Sequence, residues 1–486
     1  MPALVVHGHF YQPPRENPWT GEVETEPSAV PYHDWNERIY AECYAPNAAA
    51  NNYARISFNF GPTLLSWLER QHPETYQQIL AADRESALER GGHGNAIAQA
   101  YGHAILPLCN ERDRLTQVVW GVADFRFRFS RDPEALWLPE TAANNATLAL
   151  LIEQGFRYVI LAPEQAKSVR VGSESVDVSG GKIDTTRSYR VEHPDGSGRS
   201  IAVFFYNGPL ARAIAFEKAL TSSRGLVERF VQVAQRGDLV NVATDGETYG
   251  HHFKFGDLAL AYALGVDAKQ AGFSITNYGE YLDHHPAEFA VEIDNGLEGE
   301  GSSWSCAHGL GRWSRDCGCY TGGEADWNQA WRDPLRVALN FLRDDTAVKF
   351  ERSGAELLRD PWGARNDYVS VLLNPAQARE EFLARHAVRP LNHAEQERVF
   401  ALLEMQRSAL LMFTSCGWFF SDLAGIETIQ VLRYAARVID LQTQLGFDPP
   451  RKEFLELLAE AKSNRPDKGN GAEIFLHSAE PVAALR

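Results

Sequence analysis

Short apolar runs recur along the chain and are bounded by Gly and Pro. They are Leu4–Val6, Arg55–Phe60, Tyr158–Leu161, Ile201–Tyr206 and Leu239–Ala243. Their β-branched and aromatic content predicts buried strands. Stretches with helical periodicity lie between them, at Leu64–Ala82, Asn145–Gln154, Leu226–Gln235 and Asp257–Leu264. Alternating strand and helix predicts an α/β fold with a parallel sheet or barrel. Polar residues follow the apolar runs directly: His7 and His9, Gly61-Pro62, Pro163-Glu164, Asn207-Gly208, and Asp245-Gly246-Glu247. Chemistry at the C-terminal ends of strands suits a (β/α) barrel. An open doubly wound sheet places its ligand there too, so this pattern leaves both open.

The stretch from His7 to Ala54 is too long for a plain barrel loop. Asp34 followed by Glu37 has the spacing of a capping box and predicts a helix inside it. Residues 168–200, rich in Gly, Ser and Asp, are expected to form a β-hairpin excursion. The expected division is a barrel over 1–290, an irregular Gly-, Trp- and Cys-rich connection over 291–328, and a helical domain over 329–486. In that domain Val399, Leu403, Leu410 and Phe413 share one helical face, as do Ile429, Leu432, Ala436 and Ile439. The last twenty or so residues are expected to be loosely held.

Composition narrows the partners. The chain has 486 residues, and 47 Lys+Arg against 64 Asp+Glu give a formal charge of −17. A broad nucleic-acid surface needs clustered cations and is not expected. Without a run of 18 apolar residues, no membrane span is expected. Six cysteines are sparse for a secreted framework, and the N-terminus reads as a strand, not a leader. The expectation is a cytoplasmic protein taking a neutral sugar polymer or small molecule.

Three constellations carry candidate chemistry. In His7-Gly8-His9-Phe10-Tyr11-Gln12-Pro13-Pro14, histidines two apart on a strand point the same way. They suit hydroxyl binding, metal ligation or a place in the barrel rim. In Trp137-Leu138-Pro139-Glu140, an apolar segment delivers one carboxylate beside an aromatic ring. Glu140 there is either catalytic or a charge in the first turn of the helix at 145. In Thr244-Asp245-Gly246-Glu247, a buried strand runs straight into two acids, which marks a functional site or a solvated loop. Two carboxylates on separate strand ends are the groups that glycosidic bond cleavage needs. A fourth group, Cys306, His308, Cys317 and Cys319, holds three thiols and an imidazole. Its Cys-x-His and Cys-x-Cys spacings are not the usual zinc spacings. Reduced buried thiols are expected there, with zinc and a disulfide as alternatives.

Together these motifs resemble glycoside hydrolase family 57. His7–Pro14 resembles the family's first motif, and Gly94-Asn95 with Tyr101–Pro107 its second. Trp137–Glu140 is similar to the third, Asp245-Gly246-Glu247 to the fourth, and Ser415-Cys416-Gly417-Trp418-Phe419-Phe420 to the fifth. At the position before that tryptophan many family members carry Asp, and here it is Gly417. Phe10-Tyr11-Gln12-Pro13-Pro14, in place of the commoner His-Gln-Pro, marks a separate branch whose substrate the resemblance leaves open. What the resemblance implies is a seven-stranded, distorted TIM-like (β/α) barrel, a C-terminal α-helical domain, and α-glucan cleavage or transfer with retention. It implies Glu140 as nucleophile and Asp245 as acid/base, with no cofactor and no catalytic metal. His7, His9, Gln12, His103 and Glu247 are then expected on sugar hydroxyls. Trp304, Trp313 and Trp418 are expected either to stack on sugar faces or to lie in the core. The alternatives are a metal-dependent polysaccharide deacetylase with His7, His9 and Asp245 as ligands, or a non-catalytic glucan-binding protein. Hydrolysis against transfer, and oligomeric state, stay open.

Overall fold

The computed structural model describes residues 1–480. Seven parallel strands form the barrel: β1 (Ala3–Phe10), β2 (Ser57–Phe60), β3 (Ala98–Gln99), β4 (Leu136–Trp137), β5 (Tyr158–Leu161), β6 (Ser200–Phe205) and β7 (Leu239–Asp245). β1 pairs with β7 on one side and β2 on the other. Single bridges, Phe58 to Ala96 and Ala135 to Tyr158, carry the order through β3 and β4 to β5. β5 pairs with β6. The ring closes where Asn207 N donates to Asn241 O at 2.9 Å, just past β6 and within β7. The five apolar runs read from sequence are five of these strands. The other two are only two residues long, too short to leave a periodic signal.

The barrel is plugged by side chains. Val5, Ile97, Trp137, Tyr158, Ile160, Phe204 and Ala243 belong to one buried cluster. The 168–200 excursion is strand-rich as expected. Ala166–Val171 and Glu174–Asp177 pair as a hairpin, and Ser188–Glu192 runs antiparallel to β6. Asp34 caps the helix Trp35–Ile39 by accepting from Glu37 N at 3.1 Å. One expectation is corrected: Leu64–Ala82 is two helices, Pro62–Gln71 and Pro73–Glu89. Pro73 disfavours helical geometry at His72 and is itself well suited to start the next helix.

The chain forms two compact units, divided differently from the expected 290 and 328 boundaries. The first is 1–12, 24–100 and 125–305; the second is 13–23, 101–124 and 306–486. The second unit is largely helical, built on Arg332–Gly354, His393–Leu411 and Ile426–Gln444. Val399, Leu403, Leu410, Leu432, Ala436 and Ile439 are buried, as their spacing predicts. The two early segments belong to it through specific bonds. Trp19 Nε1 donates to Asp440 at 2.9 Å, and Gln430 Nε2 donates to Glu16 O at 2.9 Å. Arg365 donates to Asp113 and Thr116 at 2.7 and 2.8 Å, and Trp120 Nε1 donates to Arg365 O. The tail is corrected as well. Residues 471–479 are helical, and Phe475 is buried edge-on against Phe454. Residues 481–486, the rest of that expectation, lie outside the described residues. No helix among the described residues is long and apolar enough to cross a membrane.

Candidate active site

Strand register assembles the barrel mouth. His9 lies opposite Asp245 across β1 and β7, and opposite Asn59 across β1 and β2. Gln99 lies opposite Trp137 across β3 and β4. Residues far apart in the chain thus meet at one level of the barrel.

Polar groups inside the barrel form a chain. Asn59 Nδ2 donates to Gln99 Oε1 at 2.7 Å, so its amide oxygen faces His7. His7 Nε2 donates to that oxygen at 3.1 Å, and His7 Nδ1 accepts from the Ser57 hydroxyl at 2.9 Å. Asn59 Nδ2 also donates to His9 Nδ1 at 2.9 Å, which assigns the His9 proton to Nε2. Trp137 stacks on both imidazoles, each with ring centroids 4.8 Å away. Burial lowers both histidines to about 3, partly offset by their bonds to Asn59, so both are neutral near pH 7.

Glu140 follows β4 in a tight turn. Its backbone is left-handed (φ 58°, ψ 22°), and Thr141 follows suit at φ 50°. Non-glycine residues held there carry strain, which clusters at functional sites. The alternative of a helix-start charge fails, because Asn144 caps the helix Asn145–Glu153 by accepting from Thr147 N at 2.9 Å. Glu140 Oε2 instead accepts from Trp304 Nε1 at 3.1 Å and Ser305 Oγ at 2.7 Å. Trp304 packs edge-on against Trp137, with centroids 5.2 Å apart, and against Tyr206 at 6.2 Å.

Asp245 ends β7. Its side chain is exposed at the strand end, and the surrounding protein displaces part of its hydration. This loss of bulk water, and then the negative charge of Glu140, push it up to about 7. Asp245 therefore titrates near neutrality, under the influence of a second carboxyl that is hydrogen-bonded to Trp304 and Ser305. Tyr206 is also pushed up, by burial first and then by the charges of Glu164 and Asp245.

Several expected sugar contacts sit differently. His7 is fully buried with both ring nitrogens occupied by Ser57 and Asn59, so it supports the barrel interior and offers no surface to a sugar. Glu247 is buried and accepts from Tyr11 N at 3.0 Å and the Tyr44 hydroxyl at 2.6 Å. It is an internal brace, pushed up to about 8 chiefly by burial. Gln12 is half-buried and donates from Nε2 to Tyr11 O at 2.9 Å. Trp313 and Trp418 have no exposed surface and cannot stack on a sugar face. Trp418 donates from Nε1 to Arg332 O at 3.3 Å, with the Arg336 guanidinium 4.5 Å from its ring centroid.

His103 belongs to the second unit. Its Nδ1 lies 2.6 Å from Ser415 Oγ, so the second and fifth sequence motifs meet there. A side chain at position 417 has no room, since its Cβ would lie 2.6 Å from Val431 Cγ2. Asn59, Gln99, Tyr206 and Ser305 escaped the sequence reading. Ser57-Phe58-Asn59-Phe60 did hold a signal, because its polar residues alternate along an otherwise apolar strand and so share one face.

A parallel barrel with a carboxyl raised toward neutrality and an anchored second carboxyl following its strands has the layout of a glycosidase-type barrel protein. The chain belongs to glycosyl hydrolase family 57, whose model matches residues 10–294. A second model, "Domain of unknown function (DUF3536)", matches residues 327–484. The exo-type maltose-forming amylase of Pyrococcus sp. ST04 shares the fold, with TM-score 0.72 at 15% identity over 97% of this chain and 90% of that one. A branching enzyme of this family from Pyrococcus horikoshii gives TM-score 0.59 at 16% identity, covering 94% of each chain. Alpha-amylase 1 of Dictyoglomus thermophilum is 24% identical over 161 residues, which is 32% of this chain and 22% of that amylase's length.

Proposed function

We propose that this protein cleaves or transfers α-glucans by a retaining double displacement, with Glu140 as nucleophile and Asp245 as acid/base. The observation that carries this reading is the pair of carboxyls that follow β4 and end β7, Glu140 anchored by Trp304 and Ser305 and Asp245 pushed up by desolvation and by the charge of Glu140. Family membership and the amylase and branching-enzyme neighbours support the substrate class.

In the first step a Glu140 oxygen bonds to the anomeric carbon as the glycosidic C–O bond breaks. The Asp245 proton passes to the departing oxygen. In the second step water or a sugar hydroxyl attacks that carbon, the bond to Glu140 breaks, and Asp245 takes the acceptor's proton. Trp304 and Ser305 fix the nucleophile's orientation by holding its Oε2. His9, protonated on Nε2, serves as a neutral donor toward a sugar hydroxyl. We assign the activity to the cytoplasm, consistent with six free cysteines.

The deacetylase alternative loses support, because both nitrogens of His7 are occupied and none is left for a metal. The test is product analysis on maltooligosaccharides and α-glucans with wild type and Glu140→Gln. Products with retained anomeric configuration, lost in the variant, support the reading. Full activity in the variant overturns it.

A further inference from the structure

The four residues of the Cys-rich loop converge, although their sequence spacing is unusual. Ligand atoms of Cys306, His308, Cys317 and Cys319 all lie within 4.8 Å of one another. Cys306 Sγ and Cys317 Sγ are 3.9 Å apart, and Cys319 Sγ is 3.4 Å from His308 Nδ1. No disulfide joins them. Zinc bound to thiolates and imidazole sets tetrahedral edges of roughly 3.8 Å between sulfurs and roughly 3.5 Å from sulfur to nitrogen. The two separations match those edges.

A second observation is the buried cation beside the cluster. Arg332 has no exposed surface, and its Nη1 lies 4.0 Å from Cys317 Sγ and donates to Cys319 O at 2.8 Å. Its Nε and Nη2 have no hydrogen-bond partner, and no carboxylate pairs with it among the described residues. A buried guanidinium calls for an anion. Three neutral thiols supply none, whereas three metal-bound thiolates on one divalent ion carry a net negative charge. The backbone conforms as well. Gly318, between two of the ligands, takes the left-handed φ of +78° that turns both neighbouring thiols toward one point.

We propose that Cys306, His308 (through Nδ1), Cys317 and Cys319 bind one zinc ion in a closed structural site. Three soft sulfurs and one imidazole select zinc over magnesium or calcium. All four positions are filled by protein, so the ion ties down the loop and performs no chemistry on a substrate. Regular structure in that loop is limited to the short turn Gly311–Trp313, and four metal bonds give it the rigidity its backbone lacks.

The test uses the full chain, purified without chelator or a histidine tag, with metal measured by mass spectrometry. About one zinc per chain is expected. Cys319→Ser and His308→Ala should each fall below about a fifth of that. Stripping the wild type with a strong chelator should lower its Tm by at least about 5 °C, and added zinc should restore it. Cobalt in place of zinc should give thiolate-to-metal charge-transfer absorption. Should the variants fail to fold, thiol reactivity of the wild type decides. Three of the six cysteines should react with a disulfide reagent only after chelation. Wild-type protein with no bound metal, thiols indifferent to chelator, or a disulfide within the group would each overturn the proposal.

Discussion

Three tryptophans with the same two expected roles came to rest in two different settings. At the barrel mouth Trp304 is half-buried, its N–H on Glu140 and its ring against Trp137. In the helical unit Trp313 and Trp418 are sealed, and Trp418 holds a backbone carbonyl and faces a guanidinium. An indole becomes a site group where its polar edge meets a functional carboxylate. Where that edge meets backbone, it is core. The two histidines of β1 divide the same way, with His7 locked in the interior and His9 one pleat nearer the mouth.

The sharpest break between the two settings is chemical. Glu140→Gln should reduce kcat at least about 10⁴-fold, since the variant loses the proposed nucleophile. Its circular dichroism and Tm should stay near wild type. Asp245→Asn should cost about 10²–10⁴-fold in turnover, with less effect on substrates whose leaving group needs no proton. The pH profile belongs to the same comparison. Asp245 must be protonated to act as acid, so activity should fall as pH rises through about 7. Removing the Glu140 charge should move the Asp245 titration to lower pH, read directly by a carboxyl-sensitive spectroscopy in the Glu140→Gln variant.

Trp418→Ala should act on the other side, destabilising the fold by about 3–5 kcal/mol as a large buried ring is lost. KM for glucans should not change in whatever folds. Trp304→Phe keeps the ring and loses the N–H on Glu140, so kcat should drop about 10–100-fold with little change in Tm. If the two variants exchanged phenotypes, the assignment of mouth and core would be wrong.

The smallest effect belongs to Glu247. Its carboxyl is raised to about 8 in the fold, against 4.5 in an exposed chain. The folded state therefore holds a proton that the unfolded state gives up, and stability falls as pH rises through that window. Glu247→Gln keeps acceptors for Tyr11 N and Tyr44 and should flatten this decline, by about 2–4 °C in Tm at pH 8.

Much of this was legible because strand ends and chemistry coincide. Asp245 and Glu140 are readable where apolar runs stop at an acid, and the five longer strands announce themselves by composition. β3 and β4 do not, because two residues carry no period. Glu247 and Asp245 look alike in sequence, two residues apart on one turn. Only packing shows that the first meets Tyr44 and the second meets solvent. Ser305 was invisible for a related reason, since a small polar residue takes its role from what lies opposite. The convergence of the cysteine group was hidden by its linear spacing, which a left-handed turn at Gly318 can override.

The threading of the chain sets a limit on dissection. Residues 13–23 and 101–124 lie early in the polypeptide but find their partners after residue 305. A gene fragment ending at Ser305 would leave Asp113, Thr116 and Trp120 without Arg365, Trp19 without Asp440, and His103 without Ser415. A truncation at Ser305 would thus strip 13–23 and 101–124 of the bonds that residues 365–440 supply, and a shortened version must keep that stretch or replace both early segments.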